Sequence, residues 1–272
     1  MSNPGKNKAF DVRYMPGFTP ITMFCLLWLY APLLIMMVYA FNSERSVTNM
    51  YGFSFRWFAQ AAKNTQVQDA TLLSLKIALV ATIIATIAAT MAALATTRTK
   101  PFKGHATVYA IINQPLMIPE IVTAVGTLVF FGLIKSATGI HGIGFLMMAH
   151  TVFCIPFAYM PIRARLEDMD LTYEHAAADL YAPPVKRFWR VTFPLMFPGI
   201  LAGAMLSFVI SFDDVIINLL VAGAGETTLP IYMIGTLRRG LTPEVNAIST
   251  VLLGVTFIFV VVFFFLTSNK KK

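Results

Sequence analysis

The stretch Tyr173–Ile200, with the sequence YEHAAADLYAPPVKRFWRVTFPLMFPGI, lies between two long apolar runs. Its alanine-rich part, residues 175–180, favours a helix. Pro183 and Pro184 end that helix, because proline has no amide hydrogen and restricts the residue before it. The next apolar run begins at the end of this stretch.

The residues after the two prolines predict a second, amphipathic helix. Apolar and small side chains recur there at i, i+3, i+4 and i+7, a spacing that places them on one face, and basic residues fill the other face. We therefore expect a helical hairpin, residues 168–192, and not an unstructured linker. The stripe consists of Val185, Phe188, Trp189 and Thr192, and the basic residues are Lys186, Arg187 and Arg190.

The composition is that of a membrane protein. Of the 272 residues, 57% are hydrophobic and only 12% are charged, whereas soluble domains carry about 25% charged residues. A membrane-spanning helix needs about 20 apolar residues, and six runs meet that length, which predicts an all-α fold with six transmembrane helices. The runs are Thr19–Phe41, Ala70–Ala95, Ala106–Ile134, Gly142–Ile162, Phe193–Ala222 and Ala247–Thr267.

Lysine and arginine concentrate on one side of these spans. Fourteen of the 21 lie in the N-terminal tail, the 98–104 loop, the 163–192 loop and the C-terminal tail, six lie in the opposite segments, and Lys76 lies near the outer end of the second span. Since basic residues favour the cytoplasmic side, both termini and the hairpin are predicted to be cytoplasmic. This bias accounts for the net charge of +8, so no nucleic-acid binding is expected.

The predicted organisation is one membrane domain with two short tails. Residues 1–18 form a cytoplasmic tail, residues 19–267 form the six-span domain that carries the hairpin, and residues 268–272 form a basic cytoplasmic tail.

Residues 81–97 of the second span are rich in alanine and threonine. Because small residues let helices pack closely in lipid, this span is predicted to be a core helix of the bundle.

Three carboxylates lie within predicted spans: Glu120, Asp213 and Asp214. A charged side chain at the bilayer centre costs roughly 2.5–3.5 kcal/mol, so such residues are expected to face a cavity or a partner. One interpretation is a path for a cationic solute. The structural alternative is that Glu120 satisfies the backbone that Pro119 breaks, and that an aspartate caps a half-helix or pairs with Lys76. Because the two aspartates are about 100° apart on a helix, one can face the path while the other caps or pairs.

The outer segment 42–69 is rich in aromatic residues, which anchor proteins at the membrane interface. A second interpretation is that Trp57 faces the outer mouth and stacks on a substrate cation.

No combination of residues indicates an enzyme. The phosphate-binding pattern G-x-x-x-x-G-K-[ST] is absent from the sequence, and Cys25 and Cys154 lie inside separate apolar spans. We expect no catalytic site, no metal site and no cofactor bound by this chain. The histidines, His105, His141, His150 and His175, lie on different predicted elements.

The hairpin resembles the pattern E-A-A-x3-G-x9-I-x-L-P, which marks the membrane subunits of ATP-driven (ABC) importers that work with a periplasmic binding protein. Counting from His175, the two alanines are Ala176 and Ala177, and the proline is Pro194. His175 and Tyr181 replace the family glutamate and glycine. If the glycine position has a positive φ, a tyrosine there is strained, so the hairpin turn is expected to differ.

The resemblance implies a type I ABC importer permease in the bacterial inner (plasma) membrane. Its hairpin would be the coupling helix that docks into a groove of an ATPase subunit. The implied partners are a second permease subunit, forming a heterodimer, a dimer of ATPase subunits that binds ATP-Mg, membrane lipid, and a periplasmic substrate-binding protein that contacts the outer segments 42–69 and 222–246. The residues assigned to ATPase coupling are His175, Ala176, Ala177, Leu180, Tyr181, Ala182, Val185 and Phe188.

Four further stretches resemble the second permease of spermidine/putrescine importers: 119–122, 206–215, 229–230 and 242–247. This narrower resemblance implies a polyamine as the solute. Another small amine or an amino-acid-like solute is an alternative, as is a stand-alone cation- or proton-coupled carrier that uses the carboxylates as a relay. Such carriers often show paired halves, and we see no internal repeat. The residues assigned to the substrate path are Glu120, Asp213, Asp214 and Trp57.

Overall fold

The computed structural model describes residues 18–46, 49–99, 102–140, 142–240 and 242–268. Within these ranges the chain is helical apart from loops and one isolated antiparallel bridge, between Asn42 and Phe53. Residues 1–17 and 269–272 of the predicted tails lie outside the described residues. The helices are α1 (Phe18–Ala40), α2 (Arg56–Lys63), α3 (Thr65–Thr97), α4 (His105–Met117), α5 (Glu120–Thr138), α6 (Ile143–Glu167), α7 (Thr172–Asp179), α8 (Pro184–Arg187), α9 (Phe193–Asp213), α10 (Ile216–Val221), α11 (Leu229–Arg238) and α12 (Pro243–Ser268).

Five helical segments in the described ranges are long and apolar enough to cross a membrane. They comprise most of α1, the helices α3, α5 and α6, and the continuous segment Pro184–Asp213. Helix α12 contributes a shorter apolar segment, Pro243–Ile258. The membrane assignment is therefore confirmed, while the sixth span and the cytoplasmic termini stay predictions.

Two of the predicted spans are interrupted helices. The third span is divided into α4 and α5 by Ile118 and Pro119, which have extended ψ angles of 138° and 132°. The break predicted at Pro119 is confirmed. The fifth span is interrupted at Asp214, whose ψ of 133° separates α9 from α10.

The second helix of the hairpin is the start of a membrane helix. Helix α8 runs through a π-helical turn, Phe188–Thr192, into α9 without a break. The Phe193 amide donates to the Phe188 carbonyl, five residues back. Pro194 has no amide hydrogen to offer the Arg190 carbonyl, and a π turn accommodates such a missing donor.

The residues group into two compact units. The first comprises the described residues between 18 and 61 and between 240 and 255. Its small core contains Ala40, Trp57 and Ala247, with Phe58 packed against them. The phenylalanine rings that contact one another in this unit belong to Phe41, Phe53, Phe55 and Phe58.

The second unit comprises the described residues between 62 and 239 and between 256 and 268, and it is built on α3, α6 and α9. Helix α9 crosses α6 closely, because a Cβ atom placed on Gly203 would lie 2.6 Å from the Ala158 carbonyl oxygen. Small residues permit such close packing in lipid. Helix α3 uses the same principle, so the prediction that it is a core helix is confirmed. Its fully buried alanines are Ala78, Ala81, Ala85, Ala89 and Ala93.

Candidate functional site: a buried acidic pair and an exposed hairpin

The helix breaks bring two of the predicted carboxylates together in the second unit. Glu120 is the first residue of α5 and is half-buried, and Asp214 directly follows α9 and is 6% exposed. Helix α5 packs against α10, and the two carboxyl groups interact electrostatically. Residues 94 positions apart in the sequence therefore form one acidic pair.

The two carboxylate oxygens of Asp214 have different surroundings. Oδ1 accepts hydrogen bonds from the amides of Ile217 (2.9 Å) and Asn218 (3.3 Å), and so caps α10. Oδ2 is buried without a hydrogen-bond partner among the described residues. A buried oxygen of this kind is costly unless a donor is supplied. Beside a second carboxyl group, it is suited to bind an ammonium group.

Asp213, the last residue of α9, is exposed. Of the two neighbouring aspartates, Asp214 caps a half-helix, as one alternative predicted, and Asp213 is exposed; that either faces a substrate path stays a prediction. The ion pairs formed within the described ranges include none between Lys76 and either aspartate. Capping is therefore the structural role that the geometry shows for Asp214.

A buried histidine connects α6 to this break, and sequence analysis missed it. His150 is fully buried, with Nδ1 2.9 Å from the Ser211 hydroxyl and Nε2 3.3 Å from Asn218 Oδ1. Asn218 Nδ2 donates to the Asp214 carbonyl at 2.6 Å, so its Oδ1 is the acceptor for His150 Nε2–H. Ser211 then donates to Nδ1. The only sequence signal was a histidine within an apolar span.

Trp57 lies in the other compact unit and is 5% exposed. Its Nε1 donates to the Asn42 carbonyl at 2.8 Å, and its ring packs with Ala40 and Ala247. This placement differs from the prediction of a ring that faces an outer mouth. The packing makes Trp57 a structural anchor, and we leave it out of the substrate path.

The hairpin is fixed to the helical bundle by charged groups. Arg98, at the end of α3, donates from Nε to Glu174 of α7 at 3.1 Å, and both side chains are less than one fifth exposed.

At the start of the hairpin, Asp170 accepts hydrogen bonds from the Thr172 hydroxyl (2.6 Å) and amide (2.9 Å). The hydroxyl bond is the main cause of the lowered pKa of Asp170. The ionised Asp170 therefore contributes to the stability of the folded chain at pH values above the ordinary carboxyl pKa. This contribution to stability is lost as the pH falls through the lowered pKa of Asp170.

The first hairpin helix ends in a Schellman motif. The Tyr181 amide donates to the Ala178 carbonyl at 2.8 Å, and the Ala182 amide donates to the Ala177 carbonyl at 3.1 Å. Tyr181 itself has φ +55°, and it is the one non-glycine residue with positive φ among those described. The turn thus keeps the conformation that glycine adopts freely, so the expectation of a different turn is wrong. The expectation that the tyrosine is strained agrees with its positive φ.

Most of the residues assigned to ATPase coupling are accessible. His175, Ala176, Leu180, Tyr181 and Val185 are exposed, with 94% exposure at Tyr181. The half-buried members are Ala177 and Ala182.

Phe188 differs from the prediction. It is half-buried and packs against the core cluster of the second unit, whereas its neighbour Trp189 is 59% exposed. Thr192, also in the predicted stripe, is 6% exposed. The π turn changes the rotation per residue, so the predicted stripe divides between the bundle core and the exposed surface. Phe188 contacts the bundle core, and Trp189 lies on the accessible face.

Comparisons with known proteins identify the family. Residues 81–269 match the model of the binding-protein-dependent transport system inner membrane component family. The chain belongs to this family. It is accordingly an inner-membrane protein and a permease subunit.

The curated relatives include two from Escherichia coli strain K12. The putrescine transport system permease protein PotI is 34% identical over 90% of this chain and 88% of its own length. The spermidine/putrescine transport system permease protein PotC is 32% identical over 90% of this chain and 91% of its own length.

Solved structures support the fold. A bacterial ABC transporter involved in the import of the acidic polysaccharide alginate has a chain with a TM-score of 0.66 at 12% identity, covering 93% of this chain and 95% of that one. An amino acid ABC transporter has a TM-score of 0.55 at 16% identity, covering 78% of this chain and 96% of that one. Both show that the ABC permease fold is present.

The permease should lose stability when His150 is replaced by leucine. Asn218 and Ser211 would each lose a buried partner, and an unsatisfied buried group costs about 1–3 kcal/mol. We expect a lower thermal midpoint, measured by maleimide labelling of the buried Cys154 in a Cys25→Ser background. Thr151→Val is the matched control, since the Thr151 hydroxyl donates only to the Met147 carbonyl of its own helix. Equal midpoints for the two variants would contradict the role of His150.

Tyr181→Gly should stabilise the hairpin turn. Glycine removes a left-handed strain of roughly 1–2 kcal/mol, partly offset by about 0.5–1 kcal/mol of its own backbone entropy. Leu180→Gly is the control, because Leu180 has φ −81° and glycine there contributes only the entropic cost. Hydrogen exchange of the Ala182 amide should be slower in the first variant and faster in the second. Faster exchange in both would show that Tyr181 is not strained.

Proposed function

We propose that this permease forms half of the path by which a small cationic solute, a polyamine such as putrescine or spermidine, crosses the inner membrane. The observation that carries the proposal is the Glu120–Asp214 pair, in which a buried carboxylate oxygen has no partner among the described residues. The relatives PotI and PotC are named as putrescine and spermidine/putrescine permeases.

A polyamine suits this site chemically. Its primary ammonium groups each donate three hydrogen bonds and carry a positive charge, as a lysine side chain does. Carboxylates within a membrane segment are costly, and the charge of the solute offsets that cost while it is bound. The exposed carboxyl of Asp213 provides a further acceptor for the next ammonium group along the path.

We further propose that the hairpin transmits energy from ATPase subunits. Residues 180, 181, 185 and 189 present large apolar side chains to the exterior, and small alanines beside them permit close approach of a partner. The partner assembly comprises a second permease, a pair of ATPase subunits that bind ATP-Mg, and a binding protein that delivers the solute. Arg98 and Glu174 hold the hairpin in position for this contact.

Uptake of radiolabelled putrescine and spermidine tests the substrate. Cells that express the whole transporter should take up polyamine only when this chain is present. Asp214→Asn and Glu120→Gln should each lower the rate about tenfold, since a lost hydrogen bond to a charged group is worth about 1.5–3 kcal/mol. Asparagine keeps a capping oxygen for α10, so folding is preserved.

The matched control is Glu167→Gln, which changes an exposed acid whose partner is Arg163 on the same helix. If both Asp214→Asn and Glu120→Gln take up polyamine at the wild-type rate, the two carboxylates have only a structural role. Chain-dependent uptake of a different amine, uncompeted by polyamines, would contradict the substrate and leave the importer role.

Leu180→Glu should release the ATPase subunits. Leu180 is 82% exposed, so the charge does not disturb packing within the chain, but it would be buried at a docked surface. We expect at least a tenfold loss of co-purifying ATPase. Leu171→Glu is the matched control, because Leu171 is 45% exposed and precedes α7. Undiminished co-purification with Leu180→Glu would contradict the docking role.

A further inference from the structure

A cavity of roughly 500 Å³ lies within the second unit, between the first turns of α3 and the segment leading into α11. Its polar lining comes from Gln66, Asp69 and Lys76 on one side and from Thr227 and Tyr232 on the other. None of these residues has a role in the acidic pair or in the hairpin.

Hydrogen bonds hold the two walls of this cavity together. Asn64, which caps α3, donates to the Tyr232 hydroxyl at 3.0 Å. The Leu229 amide donates to the buried hydroxyl of Ser74 at 2.9 Å. The cavity is therefore preformed, and its size is within the range of small-molecule sites, about 300–1,000 Å³.

The cavity carries one charge of each sign. Asp69 and Lys76 are seven residues apart on α3, about two turns or 10 Å, and so lie on one face. Neither forms an ion pair within the part of the chain that the structure describes. Helical side chains lean toward the N-terminus, which directs the Lys76 stem toward Asp69. A ligand with one anionic and one cationic group would satisfy both.

The position along α3 indicates what that ligand is. The apolar run of this helix begins at Ala70, so Asp69 lies at its polar end, and Lys76 lies within the apolar run. A lysine at that depth extends toward the headgroup region. Leu72 also lines the cavity and is 54% exposed, which gives an apolar surface beside the charged groups. Headgroup and acyl chain are thus both accommodated.

We propose that this cavity binds the headgroup of an ethanolamine phospholipid, with Lys76 at the phosphate, Asp69 at the primary ammonium group and an acyl chain along Leu72. A phosphatidylglycerol headgroup offers no cation to Asp69, so it should bind more weakly. A polyamine meets repulsion from Lys76 and does not fit this charge pattern.

Lipid retention by the assembled transporter tests the proposal. The complex is reconstituted in equimolar phosphatidylethanolamine and phosphatidylglycerol, washed in detergent, and the retained lipids are quantified by mass spectrometry. The wild type should retain about fivefold more of the ethanolamine lipid, corresponding to about 1 kcal/mol. Asp69→Asn should abolish the preference, and Lys76→Gln should lower retention of both lipids. Lys63→Gln, which alters an exposed cation outside the cavity, should behave as the wild type.

Equal retention of the two lipids by the wild type, or an unchanged preference in both cavity variants, would overturn the proposal. A separate calorimetric titration with soluble glycerophosphoethanolamine distinguishes a lipid headgroup from a free zwitterion of the same chemistry. Binding of that compound without selective lipid retention would assign the site to a free zwitterion and overturn the lipid assignment. Polyamine uptake is measured for the same variants, because a change in lipid retention without the tenfold loss of uptake expected of the acidic-pair variants distinguishes this cavity from the acidic pair.

Discussion

The hydrocarbon interior offers no hydrogen-bond partners, so every backbone polar group there must be satisfied by the protein itself. This constraint governs the break between α9 and α10. Asp214 accepts from two α10 amides, Asn218 donates back to the Asp214 carbonyl, and His150 fixes Asn218 from α6. The groups that keep the break folded thereby also hold one carboxylate oxygen beside Glu120. Structural capping, which the geometry shows, and solute binding, which we propose, would therefore be two uses of the same side chain.

The proposed energy input and the acidic pair are joined by one helical segment. Pro184–Asp213 runs without a break from the hairpin to the residue before Asp214, a length of about 45 Å. Its close crossing with α6 at Gly199 and Gly203 leaves no room for a Cβ atom. This close packing couples α9 to α6, so a displacement of the hairpin would be passed along α9 to the bundle or be absorbed by the π turn.

Sequence predicted those features that covalent structure or composition dictates. The break at Pro119 follows from a missing amide hydrogen, and the buried face of α3 follows from its alanines. The pairing of Glu120 with Asp214 could not be predicted, because it depends on how α5 packs against α10. His150 has no signal apart from its long-range partners. The predicted stripe divides, with Phe188 half-buried and Trp189 exposed, because a π turn changes the helical period, which a fixed i, i+3, i+4 pattern assumes to be constant.

The strained turn at Tyr181 has no compensation visible in its own side chain. Both Schellman hydrogen bonds are made by backbone amides, and glycine would form them equally well. The tyrosine ring is 94% exposed, so burial within this chain does not offset a strain of roughly 1–2 kcal/mol. A large aromatic side chain on a rigid, strained turn is an effective contact group, since little conformational freedom is lost when it is buried by a partner. If the hairpin docks on an ATPase subunit as we propose, the free energy that the isolated chain lacks at this position would be recovered on assembly, and the reason for a tyrosine would lie outside the chain itself.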